Sequence, residues 1–301
     1  MPRIDDLLLK SVFYVYMSKE DASQGYPDSA TGFLFSIPAI NDENLFFIYG
    51  VTNKHVIMQK GMDTPTLRIN NLIGGFDVIE TKLDDWKFHS LGSDLAICSI
   101  EISNDYDCSF LNPEFLLTNE FMEKYNVGVG DDVFMVGNFQ SRSGRTKNIP
   151  TVRFGNIAQM PVEPMKNPHT LLEEESFIVE MRSACGYSGS PVILSIPWIL
   201  SRKIRREQEE DNVPKWHEPE PDYYKLLGLD WGHLRIKERL VDKDGNSLPE
   251  EESVWINSAM AGVVPSWKLT EMLYDEMEIE NRKKEEDAFI KEREKLKNTK
   301  E

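Results

Sequence analysis

Hydrophobic residues occur in short runs along the first three quarters of the chain, and polar or glycine-containing segments separate these runs. No segment of about 10–15 residues with helical periodicity lies between consecutive runs, as a parallel α/β fold would require. Twelve runs have the length and the β-branched and aromatic content of strands, and they lie at residues 11–17, 31–37, 45–51, 66–70, 76–81, 94–100, 132–139, 151–158, 176–181, 191–196, 225–232 and 254–262. This pattern predicts an all-β fold built as a pair of antiparallel barrels or sandwiches.

The segment between the sixth and seventh predicted strands is a candidate connection between two β-domains. It contains Asn112-Pro113, residues suited to one helical turn, and two glycines. The predicted division is an N-terminal β-barrel at 1–112, a connector at 113–128, a C-terminal β-barrel at 129–265, and a C-terminal helix with a charged tail at 266–301.

Helical periodicity begins after Gly262. Ser266 can cap a helix whose apolar positions recur at a spacing near 3.6, namely Trp267, Leu269, Met272, Leu273 and Met277. From Asn281 onward almost every residue is charged or polar, which predicts a solvated helical extension that frays.

Two long polar segments, at 201–224 and 237–253, are predicted to be loops. The second resembles a calcium-binding loop in its acidic residues, but Gly245 comes too early and Ser253 occupies the position of the bidentate glutamate. We therefore interpret its KDGN stretch as a hairpin turn. These acidic loops or the charged C-terminal tail could bind a regulatory protein partner.

Composition narrows the class of protein. The chain has 301 residues, of which 40% are hydrophobic and 28% charged, as in a globular protein long enough for two domains. Its formal net charge of −17, with no basic stripe bearing interleaved aromatic residues, disfavours nucleic acid as a ligand. The apolar stretches 7–17 and 191–200 are too interrupted or too short for a signal peptide or a membrane span, so no membrane association is predicted.

The three cysteines are Cys98, Cys108 and Cys185, and they form no CxxC pair and no zinc-type cluster with histidines. This spacing argues against a disulfide framework and against a structural metal. A reducing compartment fits best, and the predicted location is cytoplasmic.

Three separate segments carry residues suited to nucleophilic catalysis. His55 follows an apolar strand after a short polar step, Asp94 opens another apolar strand, and Ser188 lies in a glycine-flanked turn. A serine hydroxyl is a poor nucleophile unless a base takes its proton, and a buried carboxylate can hold a histidine in the required tautomer. Gly186 and Gly189 allow a tight turn, in which the amides of Gly186 and Ser188 could donate to an oxyanion.

The order histidine, aspartate, serine, together with the local sequences, resembles a known family. TNKHV is similar to the TAAHC or TAAHV box, SDLAI to the strand-opening aspartate, and GYSGSP to GDSGGP. TGFLFSI, GDDVFMVGNF and AGVVPSWKLTEML also resemble segments of that family, so the likeness spans roughly residues 12–273. The chain thus resembles the trypsin-like, chymotrypsin-fold serine proteases, and their bacterial and intracellular members more than the secreted digestive ones.

The resemblance implies two six-stranded antiparallel β-barrels, a cleft between them, and peptide-bond hydrolysis without a cofactor or metal. By matching positions, His55 is the general base, Asp94 its orienting carboxylate and Ser188 the nucleophile. Gly186 and Ser188 are the implied oxyanion donors. LGLDWG is similar to the substrate-pairing strand, so the backbone of Asp230, Trp231 and Gly232 is expected to bind a peptide or protein substrate.

Three departures from the family pattern limit what can be carried over. Tyr187 replaces the aspartate that pairs with a freed amino terminus, which puts activation by propeptide removal in doubt. Ser190 replaces the second glycine of the serine box. Arg182 lies six residues before Ser188, near the expected floor of the specificity pocket, and would favour acidic or polar substrate residues if it points inward.

Two other functions remain open at this stage. An α/β-hydrolase would use GxSxG, but GYSGS lacks the final glycine and Pro191 begins a β-like run where that fold needs a helix. A protease-like protein that binds peptides or partners without catalysis is the other alternative.

Several further residues have reactive side chains, but their local sequences do not resemble those around His55, Asp94 and Ser188. Asp84 and Asp85 lie in a polar turn, and Cys185 is interpreted as a small residue of a pocket wall. The remaining histidines are interpreted as surface or packing residues, and these are His89, His169, His217 and His233.

Overall fold

Seven strands of the first part of the chain form one antiparallel sheet in the computed structural model, which describes residues 3–26, 28–59, 62, 64–196, 223–244, 246 and 253–298. The strands are β1 (Val12–Tyr16), β2 (Ser29–Pro38), β3 (Phe46–Thr52), β4 (Thr66–Asn70), β5 (Phe76–Glu80), β6 (Trp86–Phe88) and β7 (Ala96–Ser99). Their order across the sheet is β5-β4-β1-β2-β3-β7-β6.

The first sheet is curled but open. Its two outer strands, β5 and β6, follow one another in the chain, so the short segment between Glu80 and Trp86 must connect opposite edges of the sheet. That segment forms a 3-10 turn at Leu83–Asp85, and the Trp86 indole donates to Thr81 Oγ1 at 2.8 Å. The expected six-stranded closed barrel is therefore a seven-stranded curled sheet here, because a turn rather than a hydrogen-bonded ladder joins its edges.

The second part of the chain forms a closed six-stranded barrel with the order β12-β15-β14-β13-β8-β9. Its strands are β8 (Asp132–Gly137), β9 (Thr151–Gln159), β12 (Phe177–Glu180), β13 (Pro191–Ile196), β14 (Tyr223–Arg239) and β15 (Ser253–Pro265). A small hairpin of β10 (Met165–Lys166) and β11 (Glu173–Glu174) lies outside the barrel ladder.

The predicted fold class, all-β with two antiparallel β-structures and a C-terminal helix, is confirmed. The antiparallel topology, with strand β13 directly after the Ser188 turn, excludes the α/β-hydrolase alternative.

Three main apolar clusters hold the β-structures together. One lies inside the curled sheet and one inside the barrel. The third contains Phe33 and Phe35 of the sheet together with Phe134 and Ile193 of the barrel, all of them buried. Since each fully buried side chain of this size contributes about 1.5–3 kcal/mol, this shared core holds the two β-structures in contact.

Six helices complete the described fold, namely α1 (Asp6–Lys10), α2 (Lys19–Gln24), α3 (Lys54–Ile57), α4 (Asn119–Tyr125), α5 (Ser266–Leu273) and α6 (Glu276–Asn298). The C-terminal helix predicted from periodicity is divided into α5 and α6, because Tyr274 closes α5 and the Asp275 carboxylate accepts the amide of Met277. The predicted connector, 113–128, contains a 3-10 turn and α4.

The charged helix α6 docks on the first sheet through one face, so the predicted solvated extension is exposed over most of its described length but buried at Arg282 and Glu286. Glu278, Arg282 and Glu286 are buried and lie four residues apart on one face. The hydroxyl of Tyr49 donates to Glu278 at 3.3 Å and accepts from Arg282 at 3.1 Å. The buried positions of this face are charged side chains with hydrogen-bond partners, which an apolar periodicity cannot reveal.

Replacing Glu286 by alanine is expected to lower the free energy of unfolding by about 1–3 kcal/mol, since two amide donors lose their acceptor. The Glu286 carboxylate accepts from the backbone N–H of Ile40 at 3.3 Å and of Asn41 at 2.6 Å. Urea unfolding measures the effect. Glu285 is exposed on the same helix, so Glu285→Ala is the matched control, and equal stabilities of the two variants would contradict the docking role.

The two predicted long loops fall largely outside the described residues. Of 201–224, only the last two residues are described, and they lie in β14. The second prediction was too long, because Lys237, Glu238 and Arg239 continue β14 and pair with β15 as far as Ser253. The KDGN turn is described only in part. Among the described helices, none is both long and apolar enough to cross a membrane.

Candidate active site

His55 and Asp94 are brought together although 39 residues separate them. His55 lies in α3, directly after β3, and Asn53 ties this junction to the Asp94 carbonyl with a 2.8 Å hydrogen bond from Nδ2. His55 Nδ1 lies 2.6 Å from Asp94 Oδ2, and the His55 backbone N–H donates to Asp94 Oδ1 at 2.8 Å. Asp94 is fully buried and the His55 side chain is 18% exposed.

This geometry determines which imidazole nitrogen can act as a base. An ionised carboxylate only accepts hydrogen bonds, so the proton at the short contact belongs to His55 Nδ1. The lone pair is then on Nε2, the nitrogen that points away from Asp94. The same carboxylate also binds the backbone of His55, which fixes the base of the side chain.

The turn that carries Ser188 has a backbone that requires glycine at two positions. Gly186 has φ +99 and Gly189 φ +86, both in the left-handed region. A Cβ at Gly189 would lie 2.1 Å from the Thr31 carbonyl oxygen, and one at Gly186 would lie 2.6 Å from that of Asn138. The flanking glycines are therefore needed for close approach as well as for turning.

Contacts attach this turn to both β-structures. The N–H of Thr31 in β2 donates to the Ser188 carbonyl at 2.9 Å, and the N–H of Gly189 donates to the Asp230 carbonyl in β14 at 2.8 Å. A Cβ at Gly189 would also lie 2.3 Å from Thr52 Oγ1, at the end of β3 from which His55 follows. The serine turn therefore lies against the strand end that positions the histidine.

The serine turn leaves two backbone N–H groups without a described acceptor. The N–H groups of Gly186 and Ser188 donate no hydrogen bond to any residue that the structure describes. By contrast, the Ser190 N–H donates to the Tyr187 carbonyl at 2.8 Å and closes the turn. Preorganised donors of this kind can stabilise negative charge that develops on a reacting carbonyl.

Strand β14 provides a sheet edge beside the serine turn. β13 pairs with β14 only as far as Leu229, so from Trp231 onward that edge of β14 pairs with no described strand. The backbone N–H and carbonyl of Asp230 already bond to Ser190 and Gly189. The Asp230 backbone is thus hydrogen-bonded within the barrel, whereas Trp231 and Gly232 lie on the part of this edge that has no described partner strand.

The side chains near the expected specificity pocket also differ from the prediction. Arg182 is exposed, whereas the next residue, Ser183, is buried and donates from Oγ to Asp230 Oδ2 at 2.8 Å. Asp230 is fully buried, and its other carboxyl oxygen has no partner among the described residues. The buried polar pair near the expected specificity pocket is thus Ser183 and Asp230. The exposed Arg182 does not belong to it.

Burial raises the pKa of Asp230 to about 7, and hydrogen bonds from the Ser183 side chain and the Gly232 backbone, followed by the charge of His55, offset only part of this effect. In the unfolded chain the ordinary pKa is 3.8, so the folded state binds more protons between these values. The Asp230 carboxyl therefore stabilises the fold at low pH. This stabilisation is lost as the pH rises through the pKa of the folded state.

We expect Asp230→Asn to remove this pH dependence. Relative to the variant, the free energy of unfolding of the wild type should fall by roughly 1–4 kcal/mol as the pH rises from about 4 to about 8. Urea unfolding at several pH values measures the difference between the two curves. Parallel curves would show that the Asp230 carboxyl titrates normally.

The sequence pattern missed a group of residues on the β10–β11 hairpin. The His169 ring stacks on His55 with centroids 4.0 Å apart and an interplanar angle of 12°. Partial burial, followed by the charge of His55, lowers the pKa of His169 to about 4. Asn167 and Glu174 of the same hairpin bond to Asp94. Nothing in the polar segment MKNPHTLLEEE distinguishes these residues from an ordinary surface loop.

The other candidate residues lie apart from this site or make structural contacts. His89 Nε2 lies 2.9 Å from Glu271 Oε2, and His233 accepts from Arg235 at 3.2 Å. Cys185 is an exposed free thiol. Asp84 and Asp85 belong to the 3-10 turn before β6, and His217 is outside the described residues. No cluster of metal-ligating side chains occurs in the described ranges.

Comparison with known proteins gives a structural likeness only. No family model matches the chain, and no curated protein matches it. Among solved structures, it is similar to the inactive form of the Rv3671c protease, with 12% identity, a TM-score of 0.44 and 88% of each chain covered. A serine-to-alanine mutant of Rv3671c from M. tuberculosis H37Rv, also in an inactive form, has a TM-score of 0.42 at 12% identity, with 88% of this chain and 86% of that chain covered.

Proposed function

We propose that the protein is a serine endopeptidase that hydrolyses peptide bonds through an acyl-enzyme. The observation that carries this proposal is the 2.6 Å contact between His55 Nδ1 and the buried Asp94 carboxylate. A histidine held in this way presents Nε2 as a base, and a glycine-flanked serine turn lies against the strand end that precedes it. This combination is suited to acyl transfer.

In the proposed reaction, His55 Nε2 takes the proton of Ser188 Oγ as that oxygen attacks the substrate carbonyl carbon. The carbonyl oxygen becomes an oxyanion that accepts hydrogen bonds from the N–H groups of Gly186 and Ser188. The C–N bond then breaks, and His55 gives its proton to the leaving amine. Asp94 stabilises the imidazolium that exists between these two proton transfers.

Hydrolysis of the acyl-enzyme repeats the sequence with water as the nucleophile. His55 takes a proton from water, the hydroxyl adds to the ester carbonyl, and Ser188 Oγ leaves with the returned proton. The products are a carboxylic acid and the free serine. The chain's own side chains supply every proton transfer in this scheme.

The substrate is proposed to be an extended peptide that adds to the free edge of β14. From Trp231 onward this edge has no described partner strand. Main-chain pairing of this kind binds a peptide largely independently of its sequence. The Trp231 side chain does not face the peptide in this proposal, because its indole is buried and donates to Ser176 Oγ at 3.1 Å.

Labelling with a fluorophosphonate probe tests the proposal, since such a probe reacts with an activated serine. We expect mass spectrometry to place the adduct on Ser188 and Ser188→Ala to abolish it. Ser190→Ala is the matched control, because Ser190 lies in the same turn and its buried hydroxyl has no described hydrogen-bond partner. Persistent labelling of Ser188→Ala would assign the reactivity to another residue. A folded wild type that binds peptides without being labelled would favour the non-catalytic alternative.

A further inference from the structure

The β10–β11 hairpin reaches from the barrel to the His55–Asp94 pair. The buried Glu174 carboxylate accepts the backbone N–H of Asp94 at 2.9 Å through Oε2, and it accepts Asn167 Nδ2 through Oε1. The same amide nitrogen of Asn167 lies 3.4 Å from Asp94 Oδ2, the oxygen that bonds to His55. The hairpin therefore contacts Asp94 at its backbone and at its side chain.

The turn of this hairpin is held in shape by Asn167. Its side-chain carbonyl accepts the N–H of His169 at 2.8 Å, and its backbone bonds to Leu171 and Leu172 at 2.9 Å each. Leu171 has φ +63, a left-handed conformation that is unfavourable for leucine. A strained residue persists only where surrounding contacts maintain it, and here the hydrogen bonds of Asn167 do so while also holding the His169 backbone.

His169 covers one face of the His55 ring. Its own ring lies between His55 and Trp231, with a centroid distance of 6.2 Å to the indole at an angle of 74°. A Cβ at Gly232 would approach His169 Nε2 to 3.2 Å, so the glycine leaves room for this ring. The stack therefore occupies a defined position between the histidine and β14.

The two kinds of contact restrain different motions of His55. The bond from Nδ1 to Asp94 acts in the plane of the imidazole, but one in-plane bond leaves the ring free to tilt about it. A stacked ring at 4.0 Å opposes tilting. A neutral ring does so without repelling the imidazolium that forms during the reaction, and the lowered pKa of His169 keeps it neutral.

We propose that the β10–β11 hairpin is a positioning element for the catalytic pair, in which Glu174 and Asn167 hold Asp94 and His169 holds the ring of His55 by stacking. The kinetic part of this inference rests on the proposed function, because it requires His55 to act as the base for Ser188. His169 itself touches neither the nucleophile nor the scissile bond in this scheme.

The test compares His169→Ala, His169→Phe and Lys166→Ala in the full chain. Loss of a ring–ring contact should slow fluorophosphonate labelling roughly three- to tenfold in His169→Ala, in the rate of bond formation (kinact) with unchanged probe binding (KI). His169→Phe keeps a flat neutral ring and should restore most of the rate. Lys166→Ala changes an exposed side chain on β10 of the same hairpin and should behave as wild type.

A second readout does not depend on catalysis. Nuclear magnetic resonance can measure solvent exchange of the His55 Nδ1 proton, which the bond to Asp94 protects. We expect faster exchange in His169→Ala and recovery in His169→Phe, with little change in the melting temperature of either variant.

The outcomes separate the two proposals. If the wild type is not labelled but exchange is faster in His169→Ala, the positioning inference stands and the proposed function fails. If Ser188 is labelled and neither measurement changes in His169→Ala, the positioning inference fails alone. Faster labelling of His169→Ala would also overturn it, because the ring would then block the site rather than position the base.

Discussion

Replacing His55 by alanine is expected to lower kcat for peptide hydrolysis by about 10⁶-fold, as loss of the base does in other enzymes that use a serine, histidine and aspartate together. Without the imidazole, no positioned group takes the Ser188 proton during attack or returns it to the leaving amine. The side chain is partly exposed and lies at a helix start, so the fold should survive the change.

Initial rates with a quenched fluorescent peptide measure this effect, and circular dichroism verifies folding. Lys166→Ala serves again as the control, since Lys166 is exposed on β10. Combining His55→Ala with Ser188→Ala should reduce the rate little further, because the two residues act in one step. A His55→Ala protein that keeps most of its activity would show that another group accepts the serine proton.

Asp94→Asn is expected to lower kcat by about 10⁴-fold while the fold is retained. The asparagine side chain keeps one oxygen for the backbone N–H of His55. Its amide nitrogen, however, is a donor and would face His55 Nδ1, which moves the ring proton to Nε2. The nitrogen needed as the base would then already carry a proton.

Asp84→Asn is the matched control, because Asp84 is an exposed carboxylate in the turn before β6. The same peptide assay compares the two variants. Equal losses would mean that the Asp94 contact has no special role, whereas a loss confined to Asp94→Asn supports its role in orienting the base.

Most strands were predictable because their signal is local. Runs such as 191–196 and 132–139 are short, apolar and bounded by turn residues, and both form barrel strands. The strands that were missed are β6, β10 and β11, which have only two or three residues and show no alternation. Helix α6 was identified, but its docking was not, because the buried face consists of charged residues.

The candidate site likewise has a part that the sequence predicted and a part that it did not. The sequence around His55, Asp94 and Ser188 is distinctive at each position, and the structure brings His55 and Asp94 into contact. Arg182 was expected near the pocket, but its side chain is exposed and Ser183 points inward instead. Which of two neighbours faces inward depends on register, and register depends on partner strands.

By itself, the sequence determined most of the strands, the glycine turn around Ser188 and the start of α5, because each depends on neighbouring residues. Only the tertiary structure decided that the first sheet stays open, that α6 buries charged side chains, and that His169 stacks on His55. The stacked rings are 114 positions apart in the chain, since residue 169 follows residue 55 by that number. No local pattern encodes such a contact, because it arises only when the hairpin from the barrel packs against the strand ends of the other sheet.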